Sequence, residues 1–195
     1  SATNDVKVQS TTEDHSSDTA IHRESSSTFK KSSYTTTDYS AATLVVGSSI
    51  SGDNVSIAAG NDIVIGASQV RAEDALALGA GRDLVLTTAE STSSEHHTHQ
   101  EKKSGFPLSA DGFGYSKGEN KQASNGDAVT QVGSYLSGGS VSTVSGRDTQ
   151  IKGSTVVADD NIAINAGRDP SIVSAENRAS EDSSSSSKKS GMIGT

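Results

Sequence analysis

The chain has no cysteine, no tryptophan, two prolines, one methionine and only 4% aromatic residues. Without thiols there is no disulfide framework, although this alone leaves the compartment open. With 31% hydrophobic residues over 195 positions, a compact globule would struggle to offset its conformational entropy. No run of 18 apolar residues occurs, so no membrane-spanning helix is encoded. Positive charge is also short: 16 Lys and Arg face 24 Asp and Glu, for a net charge of −8. Lys30-Lys31, Lys102-Lys103 and Lys188-Lys189 read as isolated pairs, and no nucleic acid is expected as a partner.

What the chain does have is a repeat. Residues 47–91 and 133–177 are two gapless copies of a 45-residue unit, offset by 86, with 20 of 45 positions identical. Gly47 pairs with Gly133, Val55 with Val141, and Ala80-Gly81-Arg82-Asp83 with Ala166-Gly167-Arg168-Asp169. A shorter period lies inside each copy, since Gly60-Asn61-Asp62-Ile63-Val64-Ile65 returns as Gly81-Arg82-Asp83-Leu84-Val85-Leu86. Each half reads as a short strand, a Gly-Asx turn, a second strand and a Gly/Ser corner. Apolar residues at i and i+2 share a face, and stacked copies can bury what one copy cannot. The expected fold is all-β: a right-handed parallel β-helix, or solenoid, with β-hairpin or extended connectors on one flank.

The expected core residues are Val55, Ile57, Ile63, Ile65, Val70, Leu76, Leu78, Leu84 and Leu86 in the first copy. Val141, Ile151, Val156, Ile162, Ile164 and Ile172 are expected to serve in the second. Thr143 and Gln150 replace Ile57 and Val64, so the second core should pack less tightly. Pro170 replaces Leu84 and cannot donate to a ladder, which predicts an edge or a break there.

Five segments are expected. Residues 1–43 hold the end of a preceding repeat and a polar connector; 44–91 form the first repeat core. Residues 92–132 form a connector with a hairpin, 133–177 the second core, and 178–195 a Ser-rich connector expected to fray. Both termini fall within repeats, as if the chain were a piece of a longer one, and unpaired strand edges would invite end-to-end association. In the middle connector Phe106, Leu108, Phe113 and Tyr115 flank Ala110-Asp111-Gly112, a hairpin signal and the candidate interaction surface.

The pattern of residues 47–70, from Gly47-Ser48 through Ile50, Gly52, Val55, Ile57, Gly60 and Asp62 to Val70, resembles the haemagglutinin repeats of filamentous haemagglutinin-like exoproteins. These include the contact-dependent growth inhibition effectors of Gram-negative bacteria. The stretch from Ser91 to Phe106, ending in Lys-Lys-Ser-Gly-Phe, looks like the spacer between such repeats. The resemblance covers roughly 44–195. It implies a right-handed β-helical shaft, secreted with an outer-membrane partner by a two-partner pathway and found at the cell surface. It further implies a segment that engages a recipient bacterial surface, including its outer membrane, during toxin delivery. A host-cell adhesin and a β-helical polysaccharide-processing enzyme are the alternatives.

No cofactor is expected. The one metal-like cluster is Glu95-His96-His97-Thr98-His99, in which Glu95, His97 and His99 share a strand face and could supply three ligands. Their counterparts Glu181, Ser183 and Ser185 lack the imidazoles, so the repeat itself does not need them. Acidic turns such as Gly52-Asp53-Asn54 lack the nine-residue spacing of calcium-binding β-rolls. Arg82-Asp83 and Arg168-Asp169 could seat catalysis, but their recurrence at equivalent corners points to architecture instead.

Overall fold

The computed structural model describes residues 1–106, 108–109 and 112–194. Those residues form fifteen strands and no helix. In chain order they are β1 (Val6–Gln9), β2 (Thr11–Ser26), β3 (Lys30–Val46), β4 (Ser49–Ala59) and β5 (Ile63–Gly66). Next come β6 (Gln69–Ala80), β7 (Leu84–Thr87), β8 (Ala89–Gly105), β9 (Leu108–Ser109) and β10 (Gly112–Val132). The last five are β11 (Tyr135–Ser145), β12 (Thr149–Lys152), β13 (Thr155–Ala166), β14 (Pro170–Val173) and β15 (Arg178–Gly194). The chain divides into two compact units: residues 1–14, 43–92 and 129–178, and residues 15–42, 93–128 and 179–195.

The connectors are long strands, joined side by side in the order β15-β10-β8-β3-β2, with β9 paired to β10. Side-chain bonds such as Thr36–His99 and Thr37–Thr98, or Gln100–Glu119 and His96–Asn125, run in opposing numerical order and mark these junctions as antiparallel. The chain is therefore all-β with mixed sheets, rather than parallel throughout. Residues 178–194, expected to fray, instead form β15 along β10. Serine runs are flexible when nothing satisfies their backbone; here a neighbouring strand does. One tight reversal is explicit, where Ser27 and Lys30 exchange backbone bonds around Thr28-Phe29. Another lies between Leu108–Ser109 and Gly112–Phe113, which pair antiparallel; Ala110 and Asp111 of the anticipated turn lie outside the described residues.

The other two sheets are parallel, in the orders β13-β11-β6-β4 and β1-β5-β7-β12-β14. The chain alternates between them, so each strand pairs with the strand one repeat-half away. In-register parallel pairing sets like over like. Val55, Leu76, Val141 and Ile162 form one column, and Ile57, Leu78, Thr143 and Ile164 the next. In the second sheet Val8, Ile65, Leu86, Ile151 and Ile172 line up. Each fully buried aliphatic chain contributes about 1.5–3 kcal/mol, and small β-branched residues suit so narrow a space.

The corners obey the same stacking. Gly60, Gly81, Gly146 and Gly167 each sit against the preceding turn so closely that a Cβ would collide with its backbone carbonyl. The corner residues Ala67 and Gly153, 86 apart, have φ of +44° and +51°. The second copy places glycine in this left-handed conformation, while the first accepts the strain of an alanine.

All nine first-copy core residues turn inward, with Ile57 partly buried and packed against the rest. In the second copy Val141 and Ile151 are buried, and Val156 and Ile164 pack partly against the core. Ile162 and Ile172 depart from expectation, at 48% and 69% exposed. They lie on β13 and β14, the terminal strands of their sheets, where no further strand covers them. Pro170 begins that edge strand, where its missing amide costs no ladder bond. Gln150 does not loosen the core as expected, because it points to solvent. The polar intrusions are Thr143, Ser145 and Thr149, at the places of Ile57, Ala59 and Ile63. Ser145 and Thr149 satisfy one another at 2.9 Å, whereas the buried Thr143 hydroxyl has no partner among the described residues. An unmet buried hydroxyl costs about 1–3 kcal/mol. Thr143→Val keeps the shape and should stabilise the chain by about 1–2 kcal/mol, read as a rise in thermal midpoint. An unchanged or lowered midpoint would contradict this reading of the column.

Candidate functional site

Two clusters of polar chemistry stand out, one in each unit. The first is a ladder of Arg–Asp pairs at the Gly-x-Asp corners. Arg82 donates from Nε to Asp62 Oδ1 at 3.0 Å and from Nη2 to Oδ2 at 2.5 Å. Arg147 grips Asp83 in the same way at 3.1 and 2.5 Å, and Arg168 forks onto Asp148. The amides of Asp83 and Asp148 donate to the same Oδ1 atoms at 3.2 and 3.3 Å. Each arginine thus forks onto the aspartate one turn back, and Arg168 also lies 3.8 Å from its sequence neighbour Asp169. Backbone bonds of 2.8 Å from Arg82 to Asn61, Arg147 to Arg82 and Arg168 to Arg147 run alongside. Paired forks of this kind are geometrically specific.

The electrostatics follow from the geometry. The Arg82 guanidinium holds the Asp62 carboxyl below the usual carboxylate range, and Arg147 and Arg168 do the same for Asp83 and Asp148, with partial burial opposing each. Arg82 and Arg168 are in turn raised by their aspartates. Asp62, Asp83 and Asp148 are each committed to a guanidinium and an amide, and the arrangement repeats from turn to turn. That is clamp chemistry. Asn54, one of the acidic-turn candidates, is likewise structural: its Oδ1 accepts the Ala75 amide at 3.2 Å where the ladder slips register.

The second cluster lies on the antiparallel strands. Glu95 and His97 line one shallow groove, and His97 pairs with Asp38 of β3. His99 is drawn elsewhere, bonded to Thr36 at 3.0 Å with its ring 6.1 Å from that of Tyr34. His96 bonds Asn125. Among the described residues no three His, Cys, Asp or Glu side chains gather closely enough to share a metal ion. The cross-strand partners Asp38, Thr36 and Asn125 were invisible to sequence reading, because they depend on the antiparallel register.

Of the anticipated interaction surface, Phe106 and Tyr115 are 54% and 44% exposed, and their rings meet at 5.3 Å between centroids. Phe29, 64% exposed, belongs beside them, since its carbonyl accepts the Phe106 amide at 3.0 Å. Sequence reading missed it; the Lys30-Lys31 motif after it was the available signal. The side chains of Leu108 and Phe113 lie outside the described residues.

Stacked β turns, a repeated corner clamp and a 21-residue sub-period describe a repeat protein, and a family model for the hemagglutinin repeat matches residues 25–190. The chain belongs to that family. Its haemagglutinin repeats are 36% identical over 169 residues to a protein of Escherichia coli O6:K15:H31 called tRNA nuclease CdiA, covering 84% of this chain and 5% of that one. A Burkholderia pseudomallei protein called tRNA nuclease CdiA-2 is 32% identical over 161 residues, covering 80% and 5%. A 16S rRNA endonuclease CdiA of Enterobacter cloacae is 31% identical over 145 residues, covering 74% and 4%. The haemagglutinin-repeat chain thus spans about one twentieth of the length of these relatives. No solved structure matches it significantly.

The clamp has a pH signature. A carboxylate whose folded pKa is lowered contributes stability above its ordinary range, lost as pH falls through the lowered value. Thermal melts from pH 7 downward should therefore lose stability below the usual aspartate range, near pH 4. A triple Arg82→Gln, Arg147→Gln, Arg168→Gln variant should melt lower at pH 7, and its deficit should shrink in acid. A deficit that is constant with pH would contradict the clamp.

Proposed function

We propose that this chain is a non-enzymatic segment of a large secreted contact-dependent inhibition effector of a Gram-negative bacterium. In this reading the first unit is a right-handed parallel β-helical shaft. The observation carrying it is the in-register stacking of equivalent strands, with equivalent Arg–Asp forks from turn to turn. A fold that propagates by adding identical layers is suited to length, and length is what a displayed or delivered domain requires. The matched region is the repeat and a small fraction of relatives whose names record nuclease activity, which supports assigning the chemistry elsewhere in such proteins.

The second unit supplies the contact. Phe29, Phe106 and Tyr115 present aromatic surface in a chain otherwise poor in it. Aromatic rings with one apolar face suit the boundary between water and a membrane or a protein partner. The surface engaged is that of a recipient bacterium, its outer membrane included. Fluorescently labelled chain should bind Gram-negative recipient cells saturably and epithelial cells weakly. A Phe106→Ser, Tyr115→Ser double variant with an unchanged circular dichroism spectrum should bind bacteria roughly tenfold more weakly. Preferential binding to epithelial cells would favour a host adhesin; equal binding by the variant would remove these rings from the contact.

A further inference from the structure

The lysine pairs that look isolated in sequence are not isolated in space. Eight of the sixteen Lys and Arg are Lys30, Lys31, Lys102, Lys103, Lys117, Lys121, Lys188 and Lys189, all on the strands of the second unit. Five of them, Lys30, Lys31, Lys103, Lys117 and Lys189, come from β3, β8, β10 and β15 to line one groove of about 700 Å³. Glu101 is the one carboxylate in that lining, giving a local balance of five positive charges to one negative. It sits 2.7 Å from Lys103, and Lys31 lies 4.0 Å from Glu24 outside the groove. Lys30, Lys117 and Lys189 make no ion pair among the described residues. The rest of the lining is serine, glycine and asparagine.

This arrangement works against stability. Like charges on neighbouring strands repel, and a chain with net charge −8 has ample carboxylates with which to interleave them. A concave site of this volume is of ligand size, and Gly105 and Gly118 contribute no side chain to fill it. No arginine lines it, so the planar forks that grip carboxylates or phosphates in pairs of oxygens are missing, and no aromatic ring is among its lining residues. Flexible ammonium groups act as point donors, suited to a dense, multiply charged anion.

We propose that this groove binds a ligand carrying several phosphate groups. The inference does not depend on the aromatic contact with recipient cells, and its test uses no cells. Calorimetric titration of the 195-residue chain with inorganic tripolyphosphate at low salt should show binding that weakens as salt rises. A Lys103→Gln, Lys117→Gln, Lys189→Gln variant should bind at least about tenfold more weakly, whereas Lys7→Gln, Lys152→Gln, which leaves the groove intact, should match the parent. Co-sedimentation with phosphatidylglycerol and phosphatidylcholine vesicles identifies the source. Groove-dependent binding to phosphatidylglycerol alone would support the site with membrane headgroups as its phosphates, and groove-dependent binding to tripolyphosphate would support it with a soluble ligand. Failure to bind either probe, or equal loss in both variants, would overturn the proposal.

Discussion

Parallel pairing in register is the constraint on which the first unit rests. Once Ser56 lies beside Ala77, Ala77 beside Ser142 and Ser142 beside Ala163, every other position is tied to its equivalent. The inward columns become continuous aliphatic seams. The corner glycines must remain glycine, because a carbonyl from the preceding turn occupies the place of any Cβ. The aspartates and arginines fall one turn apart, at bidentate distance. None of these features could be moved alone. A one-residue slip would carry the apolar set to the solvent face and separate every fork.

The same rule fixes the weak places. The columns lose their cover at one end, where Ile162 and Ile172 on the terminal strands β13 and β14 stay exposed despite their inward sequence pattern, while Val55 and Val8 at the other end are buried. Polar substitutions are tolerated where they find each other, as Ser145 and Thr149 do, and carry a cost where they do not, as at Thr143. The second unit answers to another logic. Its strands satisfy one another through an antiparallel ladder and present polar side chains to water, so they need no aliphatic seam. Sequence there is free to specialise, and aromatic rings and lysines are what it carries.

Much of the first unit was legible because periodicity records burial directly. The alternation through Ile63, Ile65, Leu84 and Leu86 and the offsets of 21 and 86 fixed which residues face inward and which corners correspond. The Arg–Asp corners were recognised as architecture, but not that each fork bridges successive turns, since the bridge depends on the stacking register. Gln150 was misread because it was compared with Val64 by type rather than by the face its parity assigns. The second unit was least legible. Its register depends on the reversal at Thr28-Phe29 and on the pairing of β9 with β10, and only that register unites distant lysines or turns His97 to Asp38.

The central claim is that residues far apart in sequence lie in one short stack of parallel strands. The chain has no native cysteine, so nitroxide labels at Ser56→Cys and Ala163→Cys report one distance without background. Both positions face solvent, and three inter-strand steps separate them. Dipolar broadening in electron paramagnetic resonance should give a backbone separation of about 14–15 Å, despite more than a hundred intervening residues. A broad distribution, or a separation well beyond about 20 Å, would contradict the stacked register and the account built on it.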